Sequence, residues 1–338
     1  MSNSKEIADM SREAESPLWM TLEEALNSGL TRVPKPTYSD VGFGPYGKRN
    51  LLDFWKADAH TPTPVLVSIH GGGFQAGDKK VEFEPLLKMC LREKISVAAL
   101  TYRFSAEAIA PAAFLDAARG IQFIRAQAKN WNIDKSRIAA TGVSAGGGIS
   151  LWLGFHDDLA DPSNVDPILR ESTKLSAMLV IDAQTSYDPR VIRNLIPGDA
   201  YRHPALSQLF GILDLADPDA QPICKRELFE MISPVRHVSK DSPPAMLLYG
   251  GSMNPESAKY DIAAGIHHPL FGKMLEEKMK SLGVPCFLCA NESVDADPKM
   301  GSLRVNTAEI IAFLKQNLKT PANLRPASRE GANNIKIG

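Results

Sequence analysis

The stretch "RIAATGVSAGGGISLWLGF", residues 137–155, decides how this chain is read. It opens as an apolar strand, passes a glycine turn and continues as an apolar helix. Within it, Gly142-Val143-Ser144-Ala145-Gly146 fits G-x-S-x-G, the pattern of a nucleophile elbow. The chemistry accounts for the glycines. A strand-to-helix turn this tight leaves no room for side chains at the flanking positions. The serine is thereby held with its hydroxyl exposed at the sheet edge, and the helix start behind it offers N–H groups and positive potential to an oxyanion. A glycine turn gripping a phosphate is the weaker reading, because no lysine follows the glycines.

Outward from this point, apolar runs alternate with helical patterns. "PVLVSIH", "ISVAALTY", "KLSAMLVIDA", "PAMLLYGG" and "CFLCANE" read as buried strands. Helices are expected over about 111–131, in "PLFGKMLEEKMKSLG" and in "NTAEIIAFLKQNL". The earlier runs "TYSDVGFG" and "NLLDFWKA" alternate and read as antiparallel strands. The sum is an α/β chain with a doubly wound, mostly parallel sheet. Residues from about 184 to 240 interrupt the alternation with short helical pieces rich in Pro and Asp, a helical lid insertion over the carboxyl edge where ligands bind. Three divisions follow: an arm over 1–35, with a helix in "SPLWMTLEEALNSGL" starting at Ser16-Pro17; the main domain over 36–319; and a loose tail over 320–338.

A second motif supports the first. His70-Gly71-Gly72-Gly73 ends an apolar strand and matches the HGGG loop of esterases and lipases. The N–H groups of Gly72 and Gly73, with that of Ala145, are the expected oxyanion hole. His70 is expected to hold the loop rather than act as base.

"HGGGFQAGDK", "LTYRFS" and "DKSRIAATGVSAGG" stand in this order in a chain that resembles the α/β-hydrolases of the hormone-sensitive-lipase and bacterial feruloyl-esterase-like group. The resemblance covers about residues 36–319. It implies an α/β-hydrolase fold with an eight-stranded sheet, a lid, and carboxylesterase activity. It also implies an acid after the seventh strand and a histidine after the eighth. There the sequence departs. "LLYGGSMNPES" puts Asn254 at the acid position, and "CANESVDADPKMG" puts no histidine after the eighth strand, the matching position being near Ala296.

A serine needs a neighbouring base. Among the seven histidines, His267 and His268 in "AAGIHHPLFG" leave the carboxyl end of the seventh strand on a long loop. Either is expected to reach Ser144, with Asp295 or Asp297 as the acid and Glu256 and Asp261 as local alternatives. The bland reading of the pair is a helix start at Pro269 with two surface histidines.

A net charge of −1 gives no long-range attraction to nucleic acid or an anionic membrane. No run of about 18 apolar residues predicts a membrane span. The N-terminus lacks the apolar segment of a signal peptide, and the free cysteines suit a cytoplasmic compartment. Cys286 and Cys289 form a CxxC within a strand, where they face opposite ways and pack rather than bind metal. Neither metal nor cofactor is expected. The expected partner is a small-molecule ester, and a homodimer is compatible with the sequence. The leading function is a lipase-like serine hydrolase, an esterase for small or aromatic carboxylic esters acting through an acyl-enzyme on Ser144. The alternatives are an inactive ligand-binding module on the same fold, motivated by Asn254 and the missing late histidine, and acyl transfer through the same residues.

Overall fold

The computed structural model describes residues 19–21, 34–79, 84–291 and 304–319. Eight strands form one sheet in the order β2-β3-β5-β4-β6-β7-β8-β9. They are β2 (Tyr38–Gly42), β3 (Leu51–Trp55), β4 (Thr63–Ile69), β5 (Ser96–Leu100), β6 (Ile133–Val143), β7 (Ala177–Ile181), β8 (Ala245–Ser252) and β9 (Cys286–Asn291). Pairing of β2 with β3 and of β3 with β5 is antiparallel; every other pair is parallel. The seventh and eighth strands of this sheet, in chain order, are therefore β8 and β9.

The central strands β4, β5 and β7 are buried along their whole length, as their Val, Ile, Leu and Ala content requires of parallel strands covered on both faces. Alternation divides their side chains between two cores. Val65, Val67 and Ile69 pack on one face with α2 (Ala112–Ala126) and α4 (Ala145–Phe155). Leu66, Val97, Ala139 and Leu179 pack on the other with α1 (Glu84–Arg92) and α10 (Thr307–Asn317). The short α3 (Ala128–Trp131) follows α2, ending at Asn132 in the left-handed conformation.

Between β7 and β8 the chain builds α5 (Pro189–Leu195), α6 (Pro204–Phe210) and α7 (Ile223–Met231). Two of these have side-chain N-caps followed by proline: Asp188 before Pro189 and His203 before Pro204. Between β8 and β9 lie the short α8 (Ile262–Ile266), capped by Asp261, and the longer α9 (Leu270–Ser281).

One expectation is overturned near the N-terminus. Trp19–Thr21 is not helical but a strand, β1, paired antiparallel with β10 (Arg304–Asn306). Trp and Thr favour extended backbone, and pairing with a distant strand overrides the local helical pattern. The rest of the 1–35 segment, apart from residues 34 and 35, lies outside the described residues, as does the tail over 320–338. The CxxC behaves as alternation predicts: Cys286 is half-buried and Cys289 exposed, both are free, and burial pushes the Cys286 thiol up to about 12.

Candidate active site

Strand order brings the two motifs together. β4 pairs with β6 so that Ile69 lies opposite Gly142, and the HGGG loop leaves the sheet beside the elbow. Ser144 sits between β6 and α4 at φ 52°, ψ −119°. That conformation is costly for a residue with a Cβ, on the order of 1–3 kcal/mol, and the neighbours must hold it in place. They do so by close approach. A Cβ on Gly146 would lie 2.0 Å from the carbonyl oxygen of Ile69, and one on Gly142 2.5 Å from it. The Ser144 N–H donates to the Ile181 carbonyl at 2.9 Å, which ties the turn to β7.

Gly72 and Gly73 have φ of +90° and +58°, and Phe74 continues the left-handed run at +61°. The Gly72 carbonyl accepts from the N–H groups of Gln75 and Ala76, folding the loop back on itself. Among the described residues, the N–H groups of Gly72, Gly73 and Ala145 meet no protein acceptor. His70 packs against its own loop, beside Gly77. Its ring is buried, its Nδ1 bonds the Gly71 carbonyl at 2.8 Å, and Tyr102 stacks on it with centroids 4.2 Å apart. Burial lowers its pKa, so it stays neutral.

The two candidate histidines separate. His267 Nε2 lies 2.8 Å from Ser144 Oγ, and its Nδ1 bonds the Ala263 carbonyl at 2.8 Å. His268 turns away and is 2% exposed. Its Nε2 bonds the Asn254 carbonyl at 3.1 Å, and its Nδ1 accepts the Leu270 N–H. Consecutive side chains diverge, so only one of the pair can face Ser144. Of the two histidines expected to reach Ser144, the structure puts His267 beside it and His268 on the Asn254 carbonyl. Burial holds the His268 imidazole below its usual value, partly opposed by the Asn254 carbonyl.

The acids fall out differently. Asn254 caps a short turn, its Oδ1 accepting from the Glu256 N–H. Glu256 pairs with Lys259, and Asp261 caps α8; both carboxylates are exposed and committed locally. Asp295 and Asp297 lie outside the described residues. Among the described residues, an acid overlooked in the sequence stands at the sheet edge beside β8. Asp182 immediately follows β7 at φ 47°, is 2% exposed, and its Oδ1 accepts the Gly250 N–H at 2.9 Å. Its charge interacts with His267. The signal was available, since "LVIDA" ends a wholly apolar run with an aspartate at the sheet's carboxyl edge. A second titratable neighbour is a histidine of the inserted segment. His203, ahead of α6, interacts with His267, and burial followed by that neighbour lowers its pKa.

The inserted segment closes one side of the site. A Cβ on Gly73 would sit 3.3 Å from that of Ala205, and Phe74 packs between Tyr102, Phe114 and Tyr187. The clefts lined by Thr61, Pro62 and Arg137 lie at the opposite end of the sheet, where β4 and β6 begin, away from Ser144. Among the described residues no group of three or more His, Cys, Asp or Glu side chains is placed to hold a metal. No helix among them is long and apolar enough to cross a membrane.

Residues 52–255 match the BD-FAE family. The chain belongs to that family, and its fold is the α/β-hydrolase fold. The BD-FAE match takes in the HGGG loop, the elbow, Asp182 and Asn254, and ends before His267. Among curated relatives, the probable carboxylic ester hydrolase LipM of Mycobacterium tuberculosis is 27% identical over 214 residues, covering 62% of this chain and 47% of LipM. Esterase LipQ of the same organism is 26% identical over 240 residues, covering 68% of this chain and 54% of LipQ. This BD-FAE chain thus spans about half the length of the curated relatives it matches. Among solved structures, a truncated carbohydrate esterase from gut microbiota superposes with TM-score 0.62 at 20% identity, covering 83% of this chain and 95% of that one. Thermogutta terrifontis esterase 2 phosphonylated by sarin superposes with TM-score 0.60 at 17% identity, covering 85% and 98%.

Proposed function

We propose that this chain is a serine esterase for small carboxylic esters, with Ser144 as nucleophile and His267 as a base supplied from the loop after β8. The observation that carries the reading is the 2.8 Å contact between Ser144 Oγ and His267 Nε2. That is the reach a general base needs. His267 Nε2 takes the hydroxyl proton as Oγ bonds to the ester carbonyl carbon. The oxyanion is received by the N–H groups of Gly72, Gly73 and Ala145. Collapse breaks the carbon–oxygen bond to the alcohol, and His267 returns its proton to the departing alkoxide. Water then attacks the acyl-enzyme by the same steps in reverse, freeing the acid and Ser144.

The names of LipM and LipQ support ester hydrolysis as the reaction class. Closeness of Ala205 to Gly73 supports a small acyl group. The test is hydrolysis of a short-chain nitrophenyl ester. Ser144→Ala and His267→Ala are expected to lose roughly 10⁴-fold or more in kcat. His268→Ala is expected to keep most activity once corrected for folded fraction. An activated phosphonate, the class of reagent seen on the Thermogutta terrifontis enzyme, is expected to label Ser144. Equal rates for wild type and Ser144→Ala, with no labelling, would favour the ligand-binding module instead.

A further inference from the structure

The mechanism above leaves one buried charge unused, Asp182, which follows the residue whose carbonyl holds the Ser144 N–H. Ser144 and Asp182 directly follow β6 and β7, and Gly250 lies in the last residues of the neighbouring β8. Asp182 is joined to both sides. Its own N–H donates to the Leu248 carbonyl at 2.8 Å, and its carboxylate accepts the Gly250 N–H. Next to it, Gln184 donates from Nε2 to the carbonyl of Ile266, the residue before His267, at 2.8 Å, and to the Asp182 carbonyl at 3.3 Å. Yet among the described residues Asp182 makes no direct hydrogen bond to His267, whose Nδ1 is taken by Ala263.

In a serine–histidine–acid arrangement the acid does two jobs: it fixes the imidazole tautomer and stabilises the imidazolium. We propose that this chain divides them: the Ala263 carbonyl fixes the tautomer of His267, and Asp182, as a positioning residue, supplies the charge that stabilises its protonated form. The inference rests on the reading of Ser144 and His267 as nucleophile and base.

The chemistry on each side is consistent. A carbonyl oxygen can only accept, so the resting His267 carries its proton on Nδ1 and leaves Nε2 free to take that of Ser144. Carbonyls are neutral, and a second charge is needed to favour the imidazolium. Burial raises the Asp182 pKa, while the nearby His267 pulls it down. Carboxylate and imidazolium therefore favour one another. No proton passes to Asp182; the one from Ser144 stays on Nε2 until the alcohol leaves. Among the described residues His203 also interacts with His267, and burial lowers the His203 pKa.

Asp182→Asn isolates the charge. Asparagine tolerates the left-handed backbone and can accept the Gly250 bond with its carbonyl oxygen. Because Ala263 still orients the ring, kcat is expected to fall by about 10²-fold with KM unchanged, and the acid limb of the kcat/KM profile is expected to move to lower pH. Asp182→Glu keeps the charge and is expected to hold the limb near its wild-type position. An unchanged rate and limb in Asp182→Asn overturns the inference. So does a loss of roughly 10⁴-fold, the figure for a base left in the wrong tautomer. If Asp182→Asn fails to fold, a Glu variant with its limb moved to lower pH overturns it alone. Ser144→Ala and His267→Ala, assayed in parallel, keep the two readings apart. If both retain activity, the nucleophile and base assignments fail. If both are inactive while Asp182→Asn matches wild type, only the division of labour fails.

Discussion

Gly72 shows how much of the site is backbone rather than side chain. Its φ of +90° is hostile to any Cβ, and one placed there would meet the Ala76 carbonyl oxygen at 2.3 Å. Gly72→Ala must therefore shift the loop that carries the two proposed oxyanion donors. The expected outcome is a loss of about 10²–10³-fold in kcat with the fold intact, measured as steady-state kinetics beside a thermal melt. A wild-type rate would remove Gly72 from the oxyanion hole. These glycines, Ser144 and the His267–His268 pair could be singled out in the sequence, because each is tied to a local motif or to loop length. The choice between the two histidines could not be read there, because it depends on which imidazole the Ala263 carbonyl can hold. Asp182 was missed for a different reason. Its proposed role depends on which strand lies beside β6, and nothing local to "LVIDA" states that.

At the scale of elements, the proposed base rides on a loop clamped from one side. Gln184 bonds the Ile266 carbonyl, and Thr185 Oγ1 donates to the Phe271 carbonyl at 2.8 Å. Gly198 and Gly265 bring the inserted segment against the same loop; a Cβ on Gly198 would lie 2.2 Å from the Lys259 carbonyl oxygen, and one on Gly265 2.8 Å from the Ala200 Cβ. The segment between β7 and β8 thus fixes the loop between β8 and β9. Gln184→Ala leaves a buried carbonyl unpaired and frees the approach to His267. It is expected to cost about 1–3 kcal/mol of stability and to lower kcat roughly 10–100-fold. Urea unfolding and single-turnover rates check the two effects separately; a rate loss no greater than the loss of folded protein would refute a positioning role. The strands and helices of this region were legible from periodicity. Their mutual contacts were not, since a glycine in "IPGDA" or "IAAGIHH" does not announce which backbone it lets approach.

Across the whole molecule, burial keeps several imidazoles neutral. His70, His203, His237 and His268 all have pKa values lowered from the ordinary 6.5, with desolvation the largest cause in each. The unfolded chain binds these protons more readily, so the stability they contribute is complete above 6.5 and is lost as pH falls toward the lowered native values. The urea midpoint is expected to be lower at about pH 5.5 than at about pH 7.5, and His268→Asn is expected to flatten that dependence. A midpoint that does not move between the two would show these histidines to be solvated. The overall fold was the most legible feature of all, because buried parallel strands and intervening helices each carry their own period. The β1–β10 pairing was not, being a contact between segments far apart in the chain.

The parallel register of β6, β7 and β8 also bears on how such a site can be rewired. Adjacent strand ends stand only about 5 Å apart, so the ends of three neighbouring strands fall within about 10 Å of one another. A functional group lost from one strand end can be supplied from the next, given a loop with enough reach and a neighbour to pin it. Residues 253–269 provide that reach, and the β7 edge provides the pin. In a sheet of this kind, chain position is a poor address for a reacting group, and its place along the strand edge is a good one.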